Sequence, residues 1–299
     1  MKKLIVVGGA TATGKTALAI QLAQWLKAEI LSADSRQFYR EMTIGTAKPS
    51  SAELALVPHH FIDSHSIAEN YSVGAYEKDA LRLLEKLFQD HDYVILAGGS
   101  GLYIRAVCEG LDTFPDISEA TKKWVEEGER TGGLTWLQET LQQSDPQHFS
   151  QVDQQNPARL RRAVEVSLET GKPYSSFLKQ TEKVARPFEI DYLLLDLPRQ
   201  DLYERIDLRV DQMIHSGLAE EARNLLPFRN HPALKTVGYE EYFNYFDGKF
   251  SQIEAIAKIK QHSRNYAKRQ ITWFNKHGNW TKFLPTEWDK IKAFLSGRL

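Results

Sequence analysis

A single cysteine, Cys108, is the only thiol in this 299-residue chain. No intrachain disulfide can therefore form, and no four-cysteine zinc module can be built. Such usage suits a reducing compartment, and cytoplasm is the expected location. Net charge is nearly absent as well: 38 Lys and Arg stand against 39 Asp and Glu, a formal −1. That balance argues against indiscriminate nucleic-acid binding and leaves room for a local basic face. No apolar run approaches the length of a membrane span, so no membrane is expected as a partner. The apolar run near the start is too short for a secretion signal. Repeats and low-complexity tracts are also missing. What remains is an ordinary globular composition, 42% hydrophobic, large enough for one big domain or a domain with an insertion.

The run Leu4-Ile5-Val6-Val7 leads into "GGATATGKT". Gly9, Ala10, Thr11, Ala12, Thr13, Gly14, Lys15 and Thr16 fit G-x-x-x-x-G-K-[ST], the pattern of a loop whose backbone N–H groups cradle phosphate ahead of a helix N-terminus. Lys15 would reach the outer phosphate, Thr16 would join a Mg²⁺ shell, and Thr11 and Thr13 add hydroxyls. Ala17, Leu18, Ile20, Leu22, Ala23 and Leu26 give the following helix an apolar stripe. The alternative is a flexible turn with a chance lysine, and the loop alone does not say whether its phosphates belong to ATP.

The pattern predicts an α/β fold, a P-loop core with a parallel sheet flanked by helices and an inserted all-helical domain. Strands are expected at 4–7, 29–32 and in "DYVILAGG", with helices at 16–26 and 73–89, the latter carrying Ala75, Ala80, Leu81, Leu84 and Leu87. From Ile117 to about Lys183 the chain reads as helical, at 118–130, 134–143 and 158–170. The α/β pattern resumes with "FEIDYLLLDLP", a strand running to Leu197. A long helix follows, with Asp201 and Glu204 spaced as a capping box and Leu202, Ile206, Met213 and Ile214 facing inward. The expected organisation is 1–114 and 186–299 as core, with 115–185 inserted.

Ligands of open α/β sheets gather at the carboxyl ends of the strands. Asp34 stands there, either facing the phosphate loop or closing an Asx-turn. Ser100, between glycines ahead of a helix, has a cap as its alternative role. Arg205 and Arg209, at i and i+4, could bind a diphosphate or pair with Asp201, Glu204 or Asp207. Arg159, Arg161 and Arg162 pose the same choice. His59, His60 and His65 lack convincing metal-ligand spacing. The "DYVILAGG" strand ends on glycines where a P-loop ATPase places a Mg²⁺-holding aspartate; Asp196 is the remaining candidate, and it precedes Leu197-Pro198. This hints at a diphosphate leaving group in the loop. From Ala257 to Lys282 there is no acidic residue, while Lys258, Lys260, Arg264, Lys268, Arg269, Lys276 and Lys282 fall inside. With Tyr266, Trp273 and Phe274 interleaved, the segment is either a solvated face or a surface for single-stranded nucleic acid.

Taken together, "GATATGKT", "SADSRQFYREMTIGTAKPS", "GGSGLY", "NPARLRRAVEV", "LYERIDLRVDQM", "TVGYEE" and "YAKRQITWF" resemble, in that order, the motifs of the bacterial tRNA dimethylallyltransferases, also called tRNA isopentenyltransferases. The resemblance runs from about Leu4 to Phe274. It implies transfer of a dimethylallyl group from dimethylallyl diphosphate to N6 of the adenosine 3′ of the anticodon, with the insertion gripping the anticodon stem-loop. By position, the loop Gly9 to Thr16 would bind the donor diphosphate with Mg²⁺ at Thr16, and Asp34 would be the general base. Lys15, Arg205 and Arg209 would stabilise the leaving group. Ser35, Arg36, Gln37, Ser100, Lys122, Ala158, Arg159, Leu160, Arg161, Arg162, Lys235, Thr236, Val237, Gly238, Tyr239, Lys268, Arg269, Gln270 and Trp273 would meet tRNA, as would Asp34 itself. Lys122 replaces a family arginine and Ala10 a family proline, which costs bidentate geometry at the first and little at the second. The partners implied are tRNA and the prenyl donor, and a monomer is expected. Rivals are a P-loop small-molecule or nucleoside kinase, a prenyltransferase acting on free adenine nucleotides, and a non-enzymatic RNA-binding module.

Overall fold

The computed structural model describes residues 2–178 and 185–298; Lys183, where the strandless stretch was expected to end, lies outside them. Among the described residues, one six-stranded sheet carries β1 (Lys3–Gly9), β2 (Ile30–Ser32), β3 (His59–His60), β4 (Tyr93–Gly98), β5 (Glu189–Leu195) and β6 (Thr281–Phe283) in the order β3-β2-β4-β1-β5-β6. All its pairings are parallel. Parallel strands buried on both faces need continuous apolar runs, and every residue of β1 is buried. Leu4 and Val6 point into one core layer and Ile5 and Val7 into the other, because side chains alternate along a strand. The register sets Gly8 beside Gly98. The turns after β1 and β4 therefore leave the sheet side by side, at the edge where ligands collect.

The helices are α1 (Lys15–Leu26), α2 (Ser51–Leu54), α3 (Val73–Asp90), α4 (Gly101–Glu109), α5 (Glu119–Ser144), α6 (Pro146–Phe149), α7 (Pro157–Thr170), α8 (Arg199–His215), α9 (Leu218–Leu225), α10 (Tyr239–Phe246), α11 (Gln252–Lys276) and α12 (Trp288–Ser296). Tyr76, Ala80 and Leu84 of α3, Ile104 of α4 and Phe274 of α11 cover one sheet face. Leu18 and Leu22 of α1 with Ile291 and Leu295 of α12 cover the other. Leu22 is fully buried, so Leu22→Ala should cost about 2–5 kcal/mol. Among the described residues, no helix is long and apolar enough to cross a membrane.

The chain divides into two compact units, Met1–Cys108 with Arg186–Leu299, and Glu109–Ala185. The second is helical, built on Val125, Leu137, Leu141, Leu160, Ala163 and Val164. Its long α5 is broken at Gly133, whose φ of 63° and ψ of −150° no helix contains. Asn156 caps α7 by accepting from Arg159 N–H at 3.2 Å, and Gly171 closes it in the left-handed conformation.

Three local expectations need correction. β5 ends at Leu195, short of Leu197: Asp196 N–H makes the last ladder bond, to Phe283 O at 3.0 Å, and Pro198 two residues on has no N–H to extend it. α8 starts from Pro198, without a capping box at Asp201 and Glu204; proline pre-sets the entry angle (φ −51°), and Glu204 accepts from Gln200 instead. On α1, Ala17 is exposed and Ala19 buried, since packing against α12 as well as the sheet rotates the buried arc.

Candidate active site

Gly14, at φ 99°, precedes α1 without supplying a side-chain cap, and the first turn holds no acidic residue. The positive end of α1 is left without a protein counter-charge. Within the loop, Ala12 adopts the left-handed conformation at φ 64°, and the Ala10 carbonyl gathers the Thr13 hydroxyl at 2.9 Å and the Lys15 ammonium at 2.7 Å. Thr13 is buried in this role, so its hydroxyl shapes the loop rather than facing an anion. The Lys15 pKa is lowered to about 7, first by burial and then by Arg209, with Asp34 pulling it back up. A cation this close to losing its proton is short of negative partners, which an anionic ligand would supply.

Arg209 is also pushed down by burial, against opposing pulls from Asp34 and Glu53, and donates to Ala47 O at 3.3 Å. Arg205 is exposed, with Nη2 at 3.7 Å from where a Cβ on Gly14 would sit. Among the carboxylates of α8, Asp207 is engaged by Arg264, Asp211 by Lys260 and Glu204 by Gln200, while Asp201 is exposed. Thus α11 neutralises the acidic face of α8, and two guanidiniums remain at the phosphate loop. The same pairings correct the reading of Lys260 and Arg264 as open basic surface. Asp196 is likewise taken, by Lys282 at 3.0 Å.

On the other side of the loop, Asp34 Oδ1 accepts from Arg36 N–H at 3.0 Å, an Asx-turn. That bond fixes the carboxylate and its charge is felt at both Lys15 and Arg209, so the structural and the chemical role coexist. Ser100 Oγ accepts from Ser35 N–H at 3.0 Å and lies 3.2 Å from Ser35 Oγ. Tyr266 of α11 lies near this group; burial, then the Asp34 charge, push its pKa up to about 12. The hydroxyl therefore stays protonated, a donor beside the carboxylate.

Several residues expected to meet tRNA are engaged inside the protein. Gln37 donates to Thr46 O and Ala47 O and accepts from the Ser32 hydroxyl. Gln270, 7% exposed, accepts from Thr11 N–H and donates to Gly99 O. Tyr239 is fully buried and donates to Glu221 at 2.6 Å, while the Glu221 carboxylate also accepts N–H bonds from Thr43, Ile44 and Gly45. Leu160 is in the core of the second unit. Leu160, Tyr239 and Gln270 are buried, and Gln37 is half-buried. Phe274 is also core, and half-buried Trp273 lies against Gly101, where a Cβ would come within 2.2 Å of its ring. Lys235, Lys268 and Arg269 are exposed, Arg36, Thr236 and Val237 half-buried, and Gly238 buried. Glu221 gave no signal in sequence; its partners lie far away along the chain.

In the second unit Ala158 and Arg159 are exposed, Arg161 is bidentate to Glu129 at 2.6 and 2.7 Å, and Arg162 stands 5.3 Å over the Phe114 ring. Lys122 pairs with Glu119 at 2.6 Å. His59 bonds Val57 O, His60 pairs with Glu29, and His65 stacks on Tyr71.

The IPP transferase family model matches residues 37–277. The chain is 44% identical over 298 residues to a tRNA dimethylallyltransferase of Cytophaga hutchinsonii, covering 100% of this chain and 98% of the relative. It is 49% identical over 273 residues to that of Christiangramia forsetii, covering 91% and 90%. Among solved structures, a full-length tRNA isopentenylpyrophosphate transferase from Bacillus halodurans superposes with a TM-score of 0.73 at 34% identity, covering 99% and 96%. A eukaryotic dimethylallyltransferase acting on tRNA shares the fold, with a TM-score of 0.82 at 23% identity, covering 99% of this chain and 80% of that one.

Proposed function

The chain belongs to the IPP transferase family, and from that premise we propose that it transfers a dimethylallyl group from dimethylallyl diphosphate to N6 of the adenosine 3′ of the anticodon in tRNA. The N6 lone pair attacks the allylic C1, the C1–O bond breaks, its electron pair leaves on diphosphate, and an N6 proton passes to the Asp34 carboxylate. The phosphate loop and the α1 N-terminus hold the donor. Lys15, Arg205 and Arg209 meet the charge that grows on the departing diphosphate and so act most strongly in the transition state. Ser100 and Tyr266 hold hydroxyls at the acceptor side, where the adenine must arrive out of its stack.

Mg²⁺ fits this donor set as an ion carried by the diphosphate. Among the described residues, no group of three His, Cys, Asp or Glu side chains could cage it, and Mg²⁺ typically keeps its waters and binds through phosphates plus one or two protein oxygens. Thr16 would be the protein ligand, and the bound ion would offset charge on the leaving group. The unit Glu109–Ala185 would grip the anticodon stem-loop, with Lys122, Arg159, Arg161 and Arg162 as its cations and Trp273, Lys268 and Arg269 adding contacts from the core. We place the reaction in the cytoplasm and assign it to a monomer.

The observation that carries the reading is the Asp34 carboxylate, whose charge is felt at Lys15 and Arg209, beside a phosphate loop at which these two cations bond only backbone carbonyls, Ala10 O and Ala47 O, among the described residues. Incubation of the purified protein with unmodified tRNA, Mg²⁺ and dimethylallyl diphosphate, followed by digestion and weighing of the nucleosides, tests it. A five-carbon increment on one adenosine is expected. A phosphorylated product in a parallel tube holding ATP, without that increment, would return the loop to the kinases.

A further inference from the structure

Gln270 sits at a junction that the transfer reaction alone does not explain. Its Oε1 accepts the Thr11 N–H at 2.8 Å and its Nε2 donates to Gly99 O at 2.9 Å. One partner can only donate and the other only accept, so the two ends of the amide are not interchangeable. The approach is close: a Cβ on Gly99 would lie 2.3 Å from Nε2, so only glycine leaves space for it. One turn away on either side of the same α11 face, Tyr266 stands near Asp34 and Trp273 covers Gly101. Thr11 belongs to the loop assigned to the diphosphate, and Gly99 precedes Ser100, which is bonded to Ser35 beside Asp34.

Resting on the transfer reading above, we propose that Gln270 is a positioning residue that joins the donor loop to the acceptor turn and fixes their separation, and that it makes no contact with RNA. The two reactants are held by turns from neighbouring strands, β1 and β4, whose ladder ends at the pair Gly8 and Gly98. Beyond that last pair, a buried amide joins the two turns. Misplacement of about 1 Å between reacting atoms can cost on the order of a hundredfold in rate, so the bridge acts on kcat rather than on affinity. The coupling also runs in the other direction: an anion that orders the phosphate loop should steady the Gly99-Ser100 turn through the same amide.

The test uses the full chain carrying Gln270→Met, which keeps the side-chain length and removes both hydrogen bonds. Single-turnover transfer should fall by about tenfold to a hundredfold, with the Kd for an anticodon stem-loop within about twofold of wild type. Amide exchange should rise together in residues 8–16 and 98–101. Inorganic pyrophosphate should slow exchange at 98–101 in the wild type and not in the variant. Gln270→Glu, which keeps only the acceptor for Thr11, should lose the protection of 98–101 as fully. A raised stem-loop Kd with an unchanged rate would make Gln270 an RNA contact and overturn the proposal. A lowered Tm with rate unchanged, or pyrophosphate protection of 98–101 equal in both proteins, would reduce it to an ordinary core amide. Absence of transfer by the wild type on any stem-loop would sink the functional reading instead, and the pyrophosphate comparison would still decide the bridge.

Discussion

Arg205 and Arg209 look much like Arg159 and Arg162 in sequence: each pair lies within one or two turns of a helix, near acids. The structure separates them. In the core, α11 draws off Asp207 and Asp211, burial lowers Arg209 while Arg205 stays exposed beside it, and Lys15 falls to about 7. In the second unit, Arg161 is held by Glu129, Arg159 is exposed and Arg162 leans on an aromatic ring. A cation deprived of counter-charge and water gains most from an arriving anion, whereas a hydrated or paired one gains little at close range and contributes mainly a salt-dependent pull. Chemistry on a diphosphate and a grip on a long polyanion call for these two different arrangements.

The sharpest way to break the comparison is to remove the group that makes the core a reaction site. Asp34→Asn should lower transfer by about 10²–10⁴-fold and leave stem-loop affinity unchanged, because the amide can keep the bond to Arg36 N–H. Loss of binding in step with turnover, read by anisotropy and single-turnover kinetics, would remove the base assignment. Next in size, Arg209→Ala should cost about 10²–10³-fold in kcat, and Arg209→Lys should recover only part of it, since an ammonium lacks the planar fork. Equal rates for the two variants would make Arg209 a loop tether to Ala47 alone.

Titration sharpens the same contrast at smaller magnitude. The folded pKa of Lys15, about 7, lies below its ordinary 10.5. Between those values the unfolded chain therefore binds more protons than the folded one, and this lysine's burden on stability eases as pH rises through that window. A diphosphate restores the charge, so donor binding at pH 8 should take up close to one proton, and affinity should decline above pH 7. Calorimetry in buffers of differing ionisation heat measures the uptake; Lys15→Arg, always charged, should abolish it. Uptake that persists in that variant would place the proton elsewhere.

Legibility followed the range of the interactions. The phosphate loop, β1, β4 and the glycine turn after it could be read because a short apolar run followed by glycines has few other solutions. Helix ends set by Asn156 and Gly171 were visible for the same local reason. Distant partners were not: Gln270 comes with a family tRNA-contact segment, and its bonds to Thr11 and Gly99 show only once those residues arrive from elsewhere. Lys260 and Arg264 read as open surface until α8 packs against them. Tyr239, buried against Gly45 and Glu221, came with a family contact segment, and a segment does not say which of its members faces out.

The smallest expected effect separates the arginines of the second unit from one another. Arg159, exposed, should contribute to stem-loop binding about one unit of salt slope, so Arg159→Ala should flatten log Kd against log salt by roughly that amount. Arg161 already shares its charge with Glu129 through a bidentate pair; an incoming phosphate must displace that carboxylate, and an exposed pair of this kind is worth about 0.2–1 kcal/mol. Arg161→Ala should therefore change affinity less than Arg159→Ala does, and Glu129→Gln should tighten binding by freeing the guanidinium. If Glu129→Gln weakens binding, the pair holds α5 to α7 for the RNA, and its worth lies in geometry rather than in charge.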